Sequence, residues 1–281
     1  MRNTALNYDT AAGFNPCVKR YNLTVLGQGE TCIVFGHGFG CDQTIWRYVA
    51  PAFNAGYRVV LFDYVGCGKS DLTAYNPDHY SNLQAYADDL LELCASLSLQ
   101  QVYFVGHSVS GAIAMLASIK DPALFKKIIA IGPSPCYQNQ APDYIGGFDA
   151  ADIDAMLDMM DRNYFEWTDY LAPIVIGEQG DSTNITELKN SFLRADPNIS
   201  KKFAAVTFYC DIRQQLKEVL VPVTVLYCCE DVIVPLEVVA YLQQQLPYCK
   251  AVELDATGHY PQLINPNAVI TAIAKEISLA V

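Results

Sequence analysis

The 281-residue sequence predicts an α/β fold, a mostly parallel, doubly wound sheet interrupted by a helical insertion. Three observations carry that expectation. Apolar runs of strand length recur without hydrophobic–polar alternation, the pattern of parallel strands covered on both faces. Segments with helical spacing separate them. One long interval, 135–220, breaks the rhythm and carries only helical patterns.

The elements follow in order. The run 31–35 stops at Gly36, and the run 58–62 stops at Asp63. Residues 83–97 have helical spacing. The run 102–105 stops at Gly106 and leads into a small-residue helical stretch, 111–118; the run 127–131 stops at Gly132. Within the interval, 152–160 and 164–171 read as helices rich in Met, Phe, Tyr and Trp. Then come a strand at 223–227, a helix at 236–246 and a strand at 250–254. The chain therefore divides into a core of 15–134 and 221–281 and a helical insertion of 135–220. Placed above the strand ends, such an insertion would roof a pocket there.

Composition narrows the function. The chain is 52% hydrophobic and 17% charged, enough for a large core and too apolar for disorder. A net charge of −12 opposes nucleic acid and anionic membrane surfaces as partners. No apolar run approaches the roughly 20 residues that span a bilayer, and the first ten residues lack the apolar stretch of a secretory signal. The ten cysteines form no C-x-x-C pair and read as reduced, buried small hydrophobes. The expectation is a soluble cytoplasmic protein.

The chemistry centres on Gly106-His107-Ser108-Val109-Ser110-Gly111, where a strand turns sharply into a helix. A serine at that turn projects from the sheet edge and lies beside unpaired helix N–H groups. The common pattern is G-x-S-x-G; here Ser110 takes the fifth position and glycine follows one place later. A capping serine would look the same locally, so the reading depends on a base and a carboxylate elsewhere.

Four histidines are available: His37, His79, His107 and His259. His107 should point away from the Ser108 side chain, and His37 and His79 lie in loops. His259 follows the last strand and reaches the edge where Ser108 sits. Asp231, directly after the strand 223–227, is placed to orient it; Glu230 and Asp255 compete for that role. The order Ser108, Asp231, His259 differs from both common serine-protease orders. Backbone N–H groups of Val109 and of Phe39, in the glycine-rich loop Gly36-His37-Gly38-Phe39-Gly40, are the expected oxyanion donors. No metal or cofactor is needed.

Two near-motifs are set aside. Asp63-Tyr64-Val65-Gly66-Cys67-Gly68-Lys69-Ser70 resembles a phosphate loop but opens on an acidic residue, and the third glycine of a dinucleotide fingerprint is Cys41.

These residues carry a family likeness. Gly36-His37-Gly38-Phe39-Gly40-Cys41-Asp42-Gln43 with Trp46, Val60-Leu61-Phe62-Asp63-Tyr64-Val65-Gly66, the serine turn, Gly132-Pro133-Ser134-Pro135-Cys136-Tyr137 and Gly146-Gly147-Phe148 recur in one group. The chain resembles the α/β-hydrolases that include the bacterial stress regulator RsbQ and the plant strigolactone and karrikin receptors. The likeness runs from about residue 16 to the C-terminus. It implies an α/β-hydrolase fold with a four-helix lid and a pocket walled by Phe39, Phe148, Trp167, Leu171 and Phe208. It also implies slow hydrolysis of a small hydrophobic ester or lactone, linked to stress signalling through a PAS-domain phosphatase of PP2C type. A ligand sensor with slow turnover, a metabolic carboxylesterase without signalling role, and a non-catalytic scaffold are the alternatives. The first dozen residues have no assigned role.

Overall fold

The apolar runs become strands, and the inner ones are buried on both faces. The computed structural model describes residues 15–278; the leader reading of the first ten residues, and the first dozen without a role, fall outside them. A short helix α1 (Pro16–Arg20) precedes β1 (Thr24–Leu26), β2 (Cys32–Gly36) and β3 (Arg58–Leu61). After α2 (Leu83–Ser96) come β4 (Val102–His107), α3 (Val109–Lys120) and β5 (Phe125–Ile131). The insertion supplies α4 (Ala150–Arg162), α5 (Tyr164–Ile176), α6 (Ser182–Leu193) and α7 (Pro197–Phe208). The sheet resumes with β6 (Val223–Tyr227), α8 (Leu236–Gln245) and β7 (Cys249–Glu253), and the described chain ends with α9 (Pro261–Ile264) and α10 (Pro266–Ser278).

The seven strands lie in the order β1-β3-β2-β4-β5-β6-β7. All neighbours pair in parallel except β1, which runs antiparallel to β3. That edge strand was not anticipated: at three residues it is too short to leave a periodicity. Ile33, Val34, Phe35, Val102, Phe104, Val105, Ile128 and Ile129 form the floor of the core, all fully buried. Residue pairs Gly36↔Gly106 and His107↔Ile131 bring the carboxyl ends of β2, β4 and β5 level. Pairs Ile131↔Leu226 and Tyr227↔Glu253 extend that edge to β6 and β7.

Capping chemistry delimits the inserted helices. Asn163 accepts from Glu166 N at 3.3 Å to start α5, which ends at Gly177 with φ 77°. Asp181 opens α6, and Asp196 with Pro197 opens α7. The insertion is fastened to the core by polar bonds. Arg194 reaches Asp42 at 3.0 Å, and Ser191 Oγ donates to Gly40 O at 3.2 Å.

The cysteine expectation needs correcting at three positions, since Cys210 and Cys249 are half-buried and Cys229 is exposed. Seven cysteines are buried and none of the ten is disulfide-bonded, but Cys229 is exposed because it opens the turn that leaves β6. Among the described residues, no helix is long and apolar enough to cross a membrane.

A buried ionic knot ties α10 to three strands. Glu276, 2% exposed, is held by Lys127 at 3.1 Å, Lys250 at 2.5 Å and Thr224 Oγ1 at 2.8 Å. Burial raises the pKa of its carboxyl, but those three donors outweigh burial and hold it at about 2. The folded-state value lies below the unfolded one of about 4.3, so the stabilisation is complete above about pH 4.5 and is lost as pH falls through about 2. Glu276→Gln is expected to cost roughly 2 kcal/mol at pH 7. Urea midpoints should show the gap from wild type shrinking as pH drops from about 4.5; a pH-independent gap contradicts the ionic origin.

Candidate active site

The turn after β4 places Ser108 with φ 56° and ψ −122°, a backbone that side-chain-bearing residues seldom adopt. Its N–H donates to Ile131 O at 2.8 Å, prolonging the β4–β5 ladder into the turn. The unusual Ser110 explains itself. Its Oγ donates to His37 O at 2.5 Å and lies 2.8 Å from Tyr64 Oη, tying the first turn of α3 to the glycine-rich loop. The close packing expected of a glycine falls instead on Gly111, where an added Cβ would sit 2.7 Å from Pro133 Cβ and 3.0 Å from Ala130 Cβ.

Ser108, His259 and Asp231 converge from three strand ends. His259 Nε2 lies 2.9 Å from Ser108 Oγ, and Nδ1 lies 2.7 Å from Asp231 Oδ2. Asp231 Oδ1 accepts from Ile233 N at 2.8 Å and Val234 N at 3.2 Å, which fixes the carboxylate rotamer. The serine is 5% exposed and the histidine 4%, so water is largely excluded from both bonds. Glu230 and Asp255, the competitors, are both exposed.

The other histidines take different places. His79 is exposed. His37 is fully buried; Nδ1 donates to Gly38 O at 2.9 Å while Nε2 accepts from Tyr64 N at 3.2 Å. His107 turns away from the Ser108 hydroxyl and lies beneath His259, donating Nε2–H to the His259 carbonyl at 2.7 Å. Burial pushes its pKa well down, with the neighbouring His259 adding to the effect, so the ring stays neutral. The missing side chain of Gly38 makes room for His107, whose Nδ1 would lie 2.4 Å from a Cβ there.

Val109 is the first residue of α3, so its N–H has no partner within the helix. The Gly38 carbonyl, opposed to the Phe39 N–H across a planar peptide, is held by His37 Nδ1 and by Cys41 N at 3.3 Å. The Phe39 N–H is thereby directed away from those groups.

The five pocket residues come together in two chambers rather than one. Phe39, Leu171 and Phe208 line a small chamber of about 20 Å³ around Ser108 and His259. Phe148, Trp167 and Leu171 line an outer vestibule of about 450 Å³ between α4 and α5. Leu171 and Ile233 belong to both. Phe39 is the hub, in ring contact with Trp167 at 5.9 Å and Phe208 at 5.9 Å.

Sequence reasoning missed Tyr137. Its Oη lies 3.1 Å from Ser108 Oγ, and burial pushes the phenol pKa up, keeping it a proton donor. It follows the carboxyl end of β5, the same placement that singled out Asp231, and that signal could have found it. Among the described residues, no group of three or more His, Cys, Asp or Glu is placed to hold a metal ion.

Residues 33–272 match the family described as the alpha/beta hydrolase family. A karrikin-insensitive 2 receptor from Petunia hybrida is 37% identical over 261 residues, covering 92% of this chain and 95% of that protein. A strigolactone esterase from Arabidopsis thaliana is 38% identical over 246 residues, covering 87% and 91% of the two chains. The solved structure of a hydrolase from Oleispira antarctica superposes with a TM-score of 0.91 at 37% identity, covering 94% of this chain and 96% of that one. These matches run through the sheet and the four inserted helices alike, and the chain belongs to the α/β-hydrolase family.

Proposed function

We propose that the protein hydrolyses a small, mainly apolar carboxylic ester or lactone by a serine mechanism. The observation that carries this reading is the continuous relay from Ser108 Oγ through His259 to Asp231, with bonds of 2.9 and 2.7 Å. Ser108 Oγ attacks the carbonyl carbon as His259 Nε2 takes its proton, and Asp231 stabilises the imidazolium. The N–H groups of Phe39 and Val109 hold the oxyanion. His259 then protonates the leaving alkoxide, and a water molecule, deprotonated by the same nitrogen, releases the acyl group from Ser108. Tyr137 donates to Ser108 Oγ and holds its rotamer for attack. Residues 135–220 act as the lid, and the aromatic walls select an apolar substrate.

A fluorophosphonate probe tests this directly. It should add its mass once per chain, on the peptide containing Ser108, and His259→Ala should slow the labelling at least 100-fold, since a serine without its base is a weak nucleophile. Labelling elsewhere, or at an unchanged rate, rejects the reading.

One observation favours a second reading, ligand sensing with slow turnover. The chamber around Ser108, about 20 Å³, holds little more than one water, so its lining, half of it from the inserted helices, must move to admit any ester. Such a movement is a signal that a partner can read, a role that fits the receptor-named relatives. A PAS-domain phosphatase is the partner this reading would recruit, through a stress-signalling role in the cytoplasm.

A further inference from the structure

A helical threonine commonly bonds its hydroxyl to a carbonyl three or four residues back. Thr168, Thr186 and Thr271 do so here, at 2.8, 2.7 and 2.8 Å. Thr207, in the last turn of α7, does not. The residue is 1% exposed, and its Oγ1 is buried without a hydrogen-bond partner. The side chain forms part of the wall of the chamber around Ser108 and His259. Among the described residues, no other unpaired buried polar side chain lines that chamber.

The surroundings make the hydroxyl conspicuous. Leu171, Val175, Phe192 and Phe208 complete the lid side of the wall, Phe39 joins them from the glycine-rich loop, and none offers a side-chain partner. A hydroxyl buried among such groups is unfavourable until something in the chamber bonds it. At about 20 Å³ the chamber must widen for any ester. Its shared wall at Leu171 and Ile233 opens toward the vestibule of about 450 Å³, where a bulky leaving group has room. The acyl portion, whose carbonyl carbon bonds Ser108 Oγ, is the part that stays in the chamber whose wall includes Thr207.

We infer that Thr207 is a hydrogen-bonding subsite for a second oxygen on the acyl portion of the substrate. The substrate class is then an oxygenated ester or lactone, carrying an ether, hydroxyl or carbonyl oxygen beside the reacting carbonyl, rather than a plain hydrocarbon acyl ester. This inference rests on the ester-hydrolysis reading of Ser108 and adds the polarity of the acyl group.

Thr207→Val retains the branched shape and removes the hydroxyl. Three isosteric substrates serve as probes: p-nitrophenyl valerate, p-nitrophenyl 3-methoxypropanoate and p-nitrophenyl ethoxyacetate. Taking the variant-to-wild-type ratio of kcat/KM for each cancels their different intrinsic reactivities. The ratio should fall roughly 10-fold on at least one oxygenated ester and stay within about 2-fold of unity on valerate, the loss of one buried hydrogen bond. The Tm of the free variant should stay level or rise, because no internal bond is lost. Equal ratios on all three esters overturn the subsite. So does a Tm lowered by more than about 4 °C, which would mean that the hydroxyl is used within the fold. Persistent valerate turnover in Ser108→Ala instead overturns the underlying serine mechanism, a result distinguishable from either of these.

Discussion

Ser108→Ala is expected to reduce hydrolysis of p-nitrophenyl butyrate by about 10⁵-fold or more, to the level left by binding and oxyanion stabilisation alone. The physical reason is that no other nucleophile can replace it. Tyr137 Oη is within 3.1 Å of the same point, but its phenol is held protonated by burial and has no base beside it. Ser110 Oγ is committed to His37 O and Tyr64. Folding should survive, because the alanine keeps the backbone bond from residue 108 to Ile131 O and loses only the side-chain hydroxyl. Steady-state assays paired with circular dichroism check both halves. Retained turnover in a folded variant removes Ser108 from the mechanism.

Asp231→Asn is expected to lower kcat by roughly 10³- to 10⁴-fold with KM little changed. The local bonding dictates how the new amide will sit. Oδ1 accepts from Ile233 N and Val234 N at 2.8 and 3.2 Å, so the asparagine oxygen must occupy that position. Its NH₂ then faces His259 Nδ1 and donates to it. The imidazole is forced into the tautomer with the proton on Nε2, and that nitrogen can no longer accept the Ser108 proton. Glu230 cannot step in, since it points into solvent. A decrease of less than tenfold would show that His259 keeps its tautomer by other contacts.

How far the sequence leads can be followed element by element. Strands β2 to β6 were legible because burial on both faces keeps most of each run apolar, whereas the edge strand β7 is only partly covered. β1 was not legible, since a three-residue antiparallel edge strand is decided by its pairing with β3 and leaves no pattern of its own. The inserted helices were foreseen as a group. Their individual ends were set by Asn163, Asp181 and Asp196, whose capping bonds are local.

The same division runs through the site. Ser108, Asp231 and His259 could be picked out because each follows a strand, and parallel strands in register end on one edge. Sequence order and strand periodicity alone determined the fold class, the edge that carries the chemistry and these three candidates. Tertiary packing decided the rest. It turned Gly38 into a seat for His107, gave Ser110 to His37, and brought Tyr137 onto Ser108. It also split the aromatic pocket into two chambers and left the Thr207 hydroxyl unpaired in the inner one. Strand ends follow from short-range regularity, which periodicity records. Side-chain contacts between residues tens of positions apart follow from how whole layers interlock, and no spacing along the chain encodes that.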